Sequence, residues 1–430
     1  MASLRKTYLT VQNEHFPDEM TITFGDQKLV YKKRTWTITD PETSESVTQG
    51  LRYGENPGQE AALFELKNGN LTLGDCRFIA PGNGLVSTLS EENFHQFGKH
   101  PGKINLTDID ASINILKYLT DEPAAVVIKH NNPSGAALGT TTGEAFEKAY
   151  FADRLAAMGA CVALNGAVDK ELAEEINNQY FEVIAAPEYG PGAVDILKKR
   201  KNLRIVEIGD LAALSKFAAM RFLDFKSLQD GGLIVQQSPI NNVKAQSDLA
   251  IAESTKKGIE YKIDRAPTEG EWKDMLFGWS VEQGVTSNSV LYVKNLCTVA
   301  VGTGEQDRVG VAKIARDKAY EKFADSLCYR QHGVPLFQLE SGIAEGKYSP
   351  TELSEINETT QSTNGGLIGS SMISDAFFPF RDGVDVGIKE GASAICQPGG
   401  SLNDFESIQA CNEANPKVTM VYTGQRAFKH

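Results

Sequence analysis

A chain of 430 residues, 41% hydrophobic and 23% charged, exceeds one comfortable hydrophobic core and has the composition of a soluble globular protein of two or three domains. Its formal net charge of −13 repels polyanions and no basic stripe offsets it, so no nucleic-acid partner is expected. No run approaches the ~18 apolar residues of a membrane span, and Met1-Ala-Ser-Leu-Arg-Lys6 has no apolar core behind it, so a cytoplasmic protein with no membrane partner is expected.

Met20-Thr-Ile-Thr-Phe24 and Lys28-Leu-Val-Tyr-Lys32 flank Gly25-Asp26 and predict a hairpin, in an extension over 1–47 that is too short for an enzyme domain. From Arg52 to Leu203 short apolar runs alternate with helix-like stretches, the pattern of a layered α/β fold. Ala124-Ala-Val-Val-Ile128 reads as a buried strand that Asn131-Asn-Pro-Ser-Gly135 stops, delivering Lys129 and His130 to a stiff polar turn. The carboxyl end of a strand is where open α/β sheets bind ligands. Taken alone, the pair is read equally well as a strand cap.

Helix is expected over 143–158, 171–179 and 193–200, and strand over 160–164, 183–186 and 203–208. Lys198-Lys-Arg-Lys201 fits both a solvated helix end and an anion site. Paired glycines in Leu228-Gln-Asp-Gly-Gly232 mark a turn and a domain edge. Beyond it come helix over 269–283, a hairpin of 289–293 and 298–301, an amphipathic helix over 308–327 and a polar surface excursion or crossing linker over 340–366. Strand at 392–396, helix at 404–414 and strand at 418–422 close the chain. The domains expected are therefore 1–47, then 48–228 with 328–366 packing on it, then 229–327 together with 367–430. Cys76, Cys161, Cys297, Cys328, Cys396 and Cys411 stand singly, without CxxC pairs or histidines at metal-finger spacing, so reduced thiols and no zinc are expected.

Seven segments form a far more specific pattern: Leu51-Arg-Tyr-Gly-Glu-Asn-Pro57, Ile128-Lys-His-Asn-Asn-Pro-Ser-Gly135, Thr286-Ser-Asn-Ser289, Gly304-Glu-Gln-Asp-Arg308, Ser374-Asp-Ala-Phe-Phe-Pro-Phe-Arg-Asp382, Gln397-Pro-Gly-Gly-Ser401 and Gln425-Arg-Ala-Phe-Lys-His430. In this order and spacing the chain, over about 48–430, resembles the AICAR transformylase part of the bifunctional purine-biosynthesis enzymes that also carry an IMP cyclohydrolase. The resemblance implies an α/β fold of tandem cytidine-deaminase-like three-layer αβα domains. It implies transfer of the formyl group of 10-formyltetrahydrofolate to the 5-amine of aminoimidazole carboxamide ribonucleotide (AICAR), and a homodimer with shared active sites. The family's cyclohydrolase domain has no counterpart of its size ahead of Leu51, so a monofunctional transformylase is expected.

Carried over residue by residue, the resemblance makes His130 the base, Lys129 and Asn288 the oxyanion partners, and Arg52, Lys201 and Arg426 the phosphate site. Tyr53 and Gly159 lie beside the nucleotide, and Glu182 takes ribose hydroxyls. Arg308 and His430 line the same site. Phe377, Pro379 and Phe380 help form an apolar slot for the substrate rings, and Met158, Val309, Phe377, Pro379 and Asp382 meet the folate, Asp382 through the pterin; core packing is the other reading of that aromatic run. Potassium would fall to Ser287, Ser289 and Asp375. Gly58 and Met158 depart from the family's usual histidine and phenylalanine, which bears on folate affinity more than on reaction type. Two other classes compete. A deaminase-like zinc hydrolase needs H-x-E and P-C-x-x-C, which this sequence lacks. A non-catalytic nucleotide-binding protein would be expected to have lost Lys129 or His130.

Overall fold

Small and branched apolar strands build the frame of the computed structural model, which describes residues 14–39, 44–69, 71–77, 84–209 and 214–430. The chain falls into two units: Met1–Ile113 with Gly159–Ile240, and Asn114–Met158 with Asn241–His430. Both are mixed α/β.

In the first unit, strands Cys161–Leu164, Val183–Ala186 and Arg204–Glu207 run parallel, and Phe94–Gln96 adds antiparallel beside the last. The sequences CVAL and VIAA are buried at every position, as expected of strands covered on both faces. Helix Lys170–Asn177 supplies part of that cover. Asp169 caps it by accepting the Leu172 N–H, and it buries Leu172, Ala173 and Ile176 while Glu171, Glu174 and Glu175 face water. The amino-terminal hairpin forms as Glu19–Phe24 and Gln27–Lys33, with Gly25 at φ 61 supplying the turn, and Phe64–Asn68 extends it to three strands. Its inner face packs Leu29 against Leu71, Cys76 and Leu223, which ties the extension to the later ribbon Leu223–Ser227/Leu233–Gln237.

In the second unit the strand order is Ala250–Ile251, Thr419–Tyr422, Ala394–Gln397, Ser371–Ser374, Val290–Lys294, Cys297–Gly302, Asn132–Leu138, Ala124–Lys129. The Ser371, Ala394 and Thr419 strands are parallel, and the other pairings are antiparallel. Tyr292, Phe378, Ile395 and Met420 fill the core under helix Arg308–His332, whose Val311, Ala312, Ala315 and Ala319 are buried. Along the chain, the order hairpin, helix, strand, helix, strand, helix, strand runs from Ala124 to Glu207, and from Val290 to Tyr422 it recurs with helices Leu336–Ala344 and Pro350–Ser362 inserted before the first single strand.

Two local expectations are corrected. The chain over 340–366, expected as a surface excursion or crossing linker, holds helices Leu336–Ala344 and Pro350–Ser362, which bury Leu339 and Ile356 against Ala324 and Cys328. The start of the second helix was written in Ser349-Pro350-Thr-Glu352, a capping box with proline at the first helical position. Asn-Pro-Ser-Gly also does not stop the first strand. The reversal comes earlier, at His130-Asn131 (φ 54 and 62), and Asn132–Leu138 returns as a strand. Gly135 is required there, since a Cβ would stand 2.0 Å from the Ala149 carbonyl of helix Thr142–Ala152.

Candidate active site

Register alone collects the second unit's candidates on one edge of its sheet. Lys129 pairs with Asn132 at the carboxyl end of its strand, Val290 pairs with both Gly302 and Ser374, and Gln397 pairs with Tyr422. The Lys129-His130 turn, the Ser287–Ser289 loop, Gly304–Arg308, Asp375 and the 423–430 tail therefore all leave the sheet at that edge, the position open α/β sheets use for ligands.

The turn is a two-residue reversal in which His130 and Asn131 both take left-handed φ, which suits asparagine and is tolerated by histidine. His130 is exposed, and its ring makes no hydrogen bond among the described residues. Lys129 Nζ donates to the Met158 carbonyl at 2.6 Å, so one of its three donors is committed. Asn132 joins this turn to the next loop, for its Oδ1 accepts the Thr286 N–H at 2.9 Å and the Thr303 hydroxyl at 3.2 Å.

Asn288 is held at both ends of its amide. Its Nδ2 donates to the Gln306 carbonyl at 2.9 Å, its Oδ1 accepts from Arg308 at 2.9 Å, and its backbone N–H donates to the Glu305 carbonyl at 3.2 Å. Arg308 is 8% exposed, and its other bonds go to the Ser289 carbonyl (3.1 Å), Ser374 Oγ (3.2 Å) and the Asp375 carboxylate. Behind them lies Glu282, fully buried, with one oxygen accepting from Ser289 Oγ at 2.6 Å. Burial, and then the neighbouring Asp375, push the Glu282 carboxyl well above the usual carboxylate range. Glu282 Oε2 and Asp375 Oδ2 are both buried without a hydrogen-bond partner among the described residues.

The carboxyl-terminal tail is anchored. Ala427 N–H donates to the Asp375 carbonyl, Ser287 N–H to the Lys429 carbonyl and Lys429 N–H to Ser287 Oγ, at 2.9, 2.9 and 3.1 Å. Arg426 and His430 are exposed to either side of this anchor, with the Arg426 guanidinium 5.1 Å from the centre of the Phe428 ring. The aromatic run divides cleanly: Phe378 is core, its N–H bound to Gln397 Oε1, whereas Phe377 is half-buried and Pro379 and Phe380 face out. Asp382 is exposed and accepts the Gly383 N–H at 2.9 Å. Met158 is 65% exposed and Val309 is partly buried.

Arg52, Tyr53, Gly159, Glu182 and Lys201 belong to the first unit. Arg52 lies 4.6 Å from the Tyr53 ring centre and donates to its hydroxyl at 3.1 Å. Gly159 N–H donates to the Tyr180 carbonyl, Glu182 N–H to the Ala160 carbonyl, and Glu182 Oε2 accepts from Asn105 Nδ2 at 3.2 Å. These residues gather at the amino ends of the parallel strands, opposite to the carboxyl-end rule, beside the start of helix Lys103–Leu116, whose Lys103 N–H donates to the Tyr53 carbonyl at 3.2 Å. Lys201 is exposed, one turn before the Arg204 strand.

Sequence reasoning missed Asn105, Asn132, Arg204, Glu282 and Gln306. For Arg204 and Glu282 a signal existed, since each is a charge inside an otherwise buried run. Among the described residues no group of three or more His, Cys, Asp or Glu side chains is arranged to hold a metal ion, and no helix is long and apolar enough to cross a membrane.

Comparison with known proteins agrees with these segments. The family described as AICARFT/IMPCHase bienzyme matches residues 19–318. The bifunctional purine biosynthesis protein PurH of Bacillus subtilis (strain 168) is 33% identical over 424 residues, which is 98% of this chain and 63% of that protein. PurH of Bacillus cereus (strain AH820) is 32% identical over 429 residues, 100% of this chain and 64% of that protein. The chain thus spans just under two thirds of the length of these relatives, and it belongs to the AICARFT/IMPCHase bienzyme family.

Proposed function

We propose that the chain is an AICAR formyltransferase, moving the formyl group of 10-formyltetrahydrofolate to the 5-amine of AICAR. The observation that carries this reading is the Asn132 tie between the Lys129-His130 turn and the loop bearing Asn288. A conjugated amine is a poor nucleophile and needs a nearby base. His130, with its ring free and exposed, takes the amine proton as the new C–N bond forms. As the amine adds to the formyl carbon, the oxyanion that develops on the formyl oxygen is met by the uncommitted N–H groups of Lys129 and Asn288. Arg308 fixes the Asn288 oxygen, so the amide nitrogen faces outward. The carbon–N10 bond then breaks, and the proton is delivered to N10 as tetrahydrofolate departs.

In the same reading, Arg52, Lys201 and Arg426 serve the phosphate, Tyr53 and Gly159 the nucleotide, Glu182 the ribose, and His430 the substrate rings. Met158, Val309, Phe377, Pro379 and Asp382 serve the folate. Potassium fits the oxygen donors Ser287, Ser289 and Asp375, since Asp375 Oδ2 is an orphaned buried carboxylate oxygen. When bound it would lend positive charge beneath the Asn288 loop. The twice-repeated element order supports tandem deaminase-like domains. The exposed Phe225, Leu233, Ile234 and Val235 of one ribbon support a homodimer, because monomers rarely leave such patches bare.

The test is to incubate the purified chain with AICAR and 10-formyltetrahydrofolate and follow tetrahydrofolate release. Saturable release that depends on both substrates is expected. A folded chain that binds AICAR and releases none would overturn the reading in favour of a nucleotide-binding protein without chemistry.

A further inference from the structure

Arg204 carries a guanidinium that no carboxylate reaches within ion-pair distance among the described residues. The residue is 4% exposed and opens the Arg204–Glu207 strand, whose Ile205 and Val206 are core. Its backbone N–H donates to the Glu182 carbonyl at 2.9 Å, which sets it beside Glu182 across the parallel pair. Its Nε–H is buried with no hydrogen-bond partner, and no ion pair or side-chain hydrogen bond holds its guanidinium among the described residues. Arg52 repeats the pattern: its Nε is also buried and unpartnered, and among the described residues its side chain donates to the neutral Tyr53 hydroxyl.

Burial and then the positive charge of Arg52 push Arg204 down to about 10, with Glu182 opposing, so Arg204 stays a cation at neutral pH. Two guanidiniums that repel one another, one of them almost wholly out of water, cost folding free energy unless a negative group completes them. Glu182 acts on Arg204 through its charge, yet its Oε2 is bound to Asn105, and one carboxylate balances only one of the two arginines.

We propose that Arg204 is a binding residue for a phosphomonoester, completing with Arg52 a two-guanidinium site that takes the dianion, while Glu182 on the adjacent strand receives the hydroxyls of the attached sugar. Two planar forks offer several N–H donors to three phosphate oxygens and match the charge of the dianion, which a single carboxylate ligand would not. For AICAR as the ligand this rests on the reading given above; the anion site itself does not.

The test compares the full-length wild type with Arg204→Gln by titration calorimetry, using AICAR, its riboside without phosphate, and inorganic phosphate. The wild type is expected to bind AICAR much more tightly than the riboside and to bind phosphate weakly. Arg204→Gln should weaken AICAR about 30-fold or more and abolish phosphate binding, with riboside affinity unchanged. Equal loss for AICAR and riboside, or no loss for either, overturns the proposal. So does a wild type that does not distinguish AICAR from the riboside. If Arg204→Gln does not fold by circular dichroism, Arg204→Lys takes its place, keeping the charge and losing the fork. It should weaken AICAR several-fold and spare the riboside, and wild-type affinity in that variant overturns the proposal. AICAR binding that depends on Arg204 without formyl transfer would sink the formyltransferase reading and leave this one standing.

Discussion

Asn132 Oδ1 accepts the backbone N–H of Thr286 at 2.9 Å, joining the end of one hairpin to the loop that carries Asn288. The single proton of the Thr303 hydroxyl is shared between the same oxygen at 3.2 Å and the Thr286 carbonyl at 2.7 Å, so three segments distant in sequence meet at one amide. Asn132→Ala should therefore lower kcat about tenfold to a hundredfold, with a stability loss of about 1–2 kcal/mol, because the loop keeps its fold but loses its register. Steady-state kinetics beside a urea melt separate the two effects. A variant with unchanged kcat would show that the tie does not position the reacting groups.

His130 and Lys129 follow one another in sequence but differ in what they touch. If the proposed function holds, His130→Ala should cut turnover at least a hundredfold while AICAR affinity stays within a few-fold, since other residues are proposed for the phosphate. Lys129→Met should cost a comparable factor through the lost oxyanion partner, and it also frees the Met158 carbonyl. If His130→Ala turns over at a near-normal rate, another group is the base.

Arg308 is bound to Asn288, Ser289, Ser374 and Asp375 at once, and Asp375 has no exposed surface. Arg308→Ala should destabilise the protein by about 3–5 kcal/mol, because it strands a buried carboxylate. The double variant Arg308→Ala with Asp375→Asn should regain part of that loss without regaining turnover. Chemical denaturation of the two variants checks this, and a double variant no more stable than the single one would disprove the coupling.

Much of the fold was legible because apolar runs such as Cys161–Leu164 and Val183–Ala186 are buried on both faces and bounded by polar turns. The 340–366 region was misread for the opposite reason. Helix Pro350–Ser362 buries only Ile356 and Thr360, so its apolar stripe is too thin to register, and only its cap announces it. At the site, Lys129 and His130 were conspicuous as charge at the end of an apolar strand. Arg204 was passed over because one arginine in a strand reads as an edge position, and the burial of its unpartnered Nε–H is a three-dimensional fact. Phe378 and Phe377 are indistinguishable as letters, and Gln397, reaching from the neighbouring strand, decides which one is core.

The cysteines give the last prediction. Burial pushes the Cys297 thiol up to about 12 and Cys328 up to about 11, and it raises Cys76, Cys161, Cys396 and Cys411 as well. At pH 8 the reactive thiolate would then be ~10⁻⁴ of Cys297 and ~10⁻³ of Cys328, rising about tenfold for each unit of pH. Ellman's reagent should accordingly modify less than one thiol per native chain in several minutes at pH 8, against all six in denaturant, and leave turnover unchanged. Because the proposed chemistry uses an imidazole, an amine and an amide, rapid modification of a single native cysteine with parallel loss of activity would contradict it.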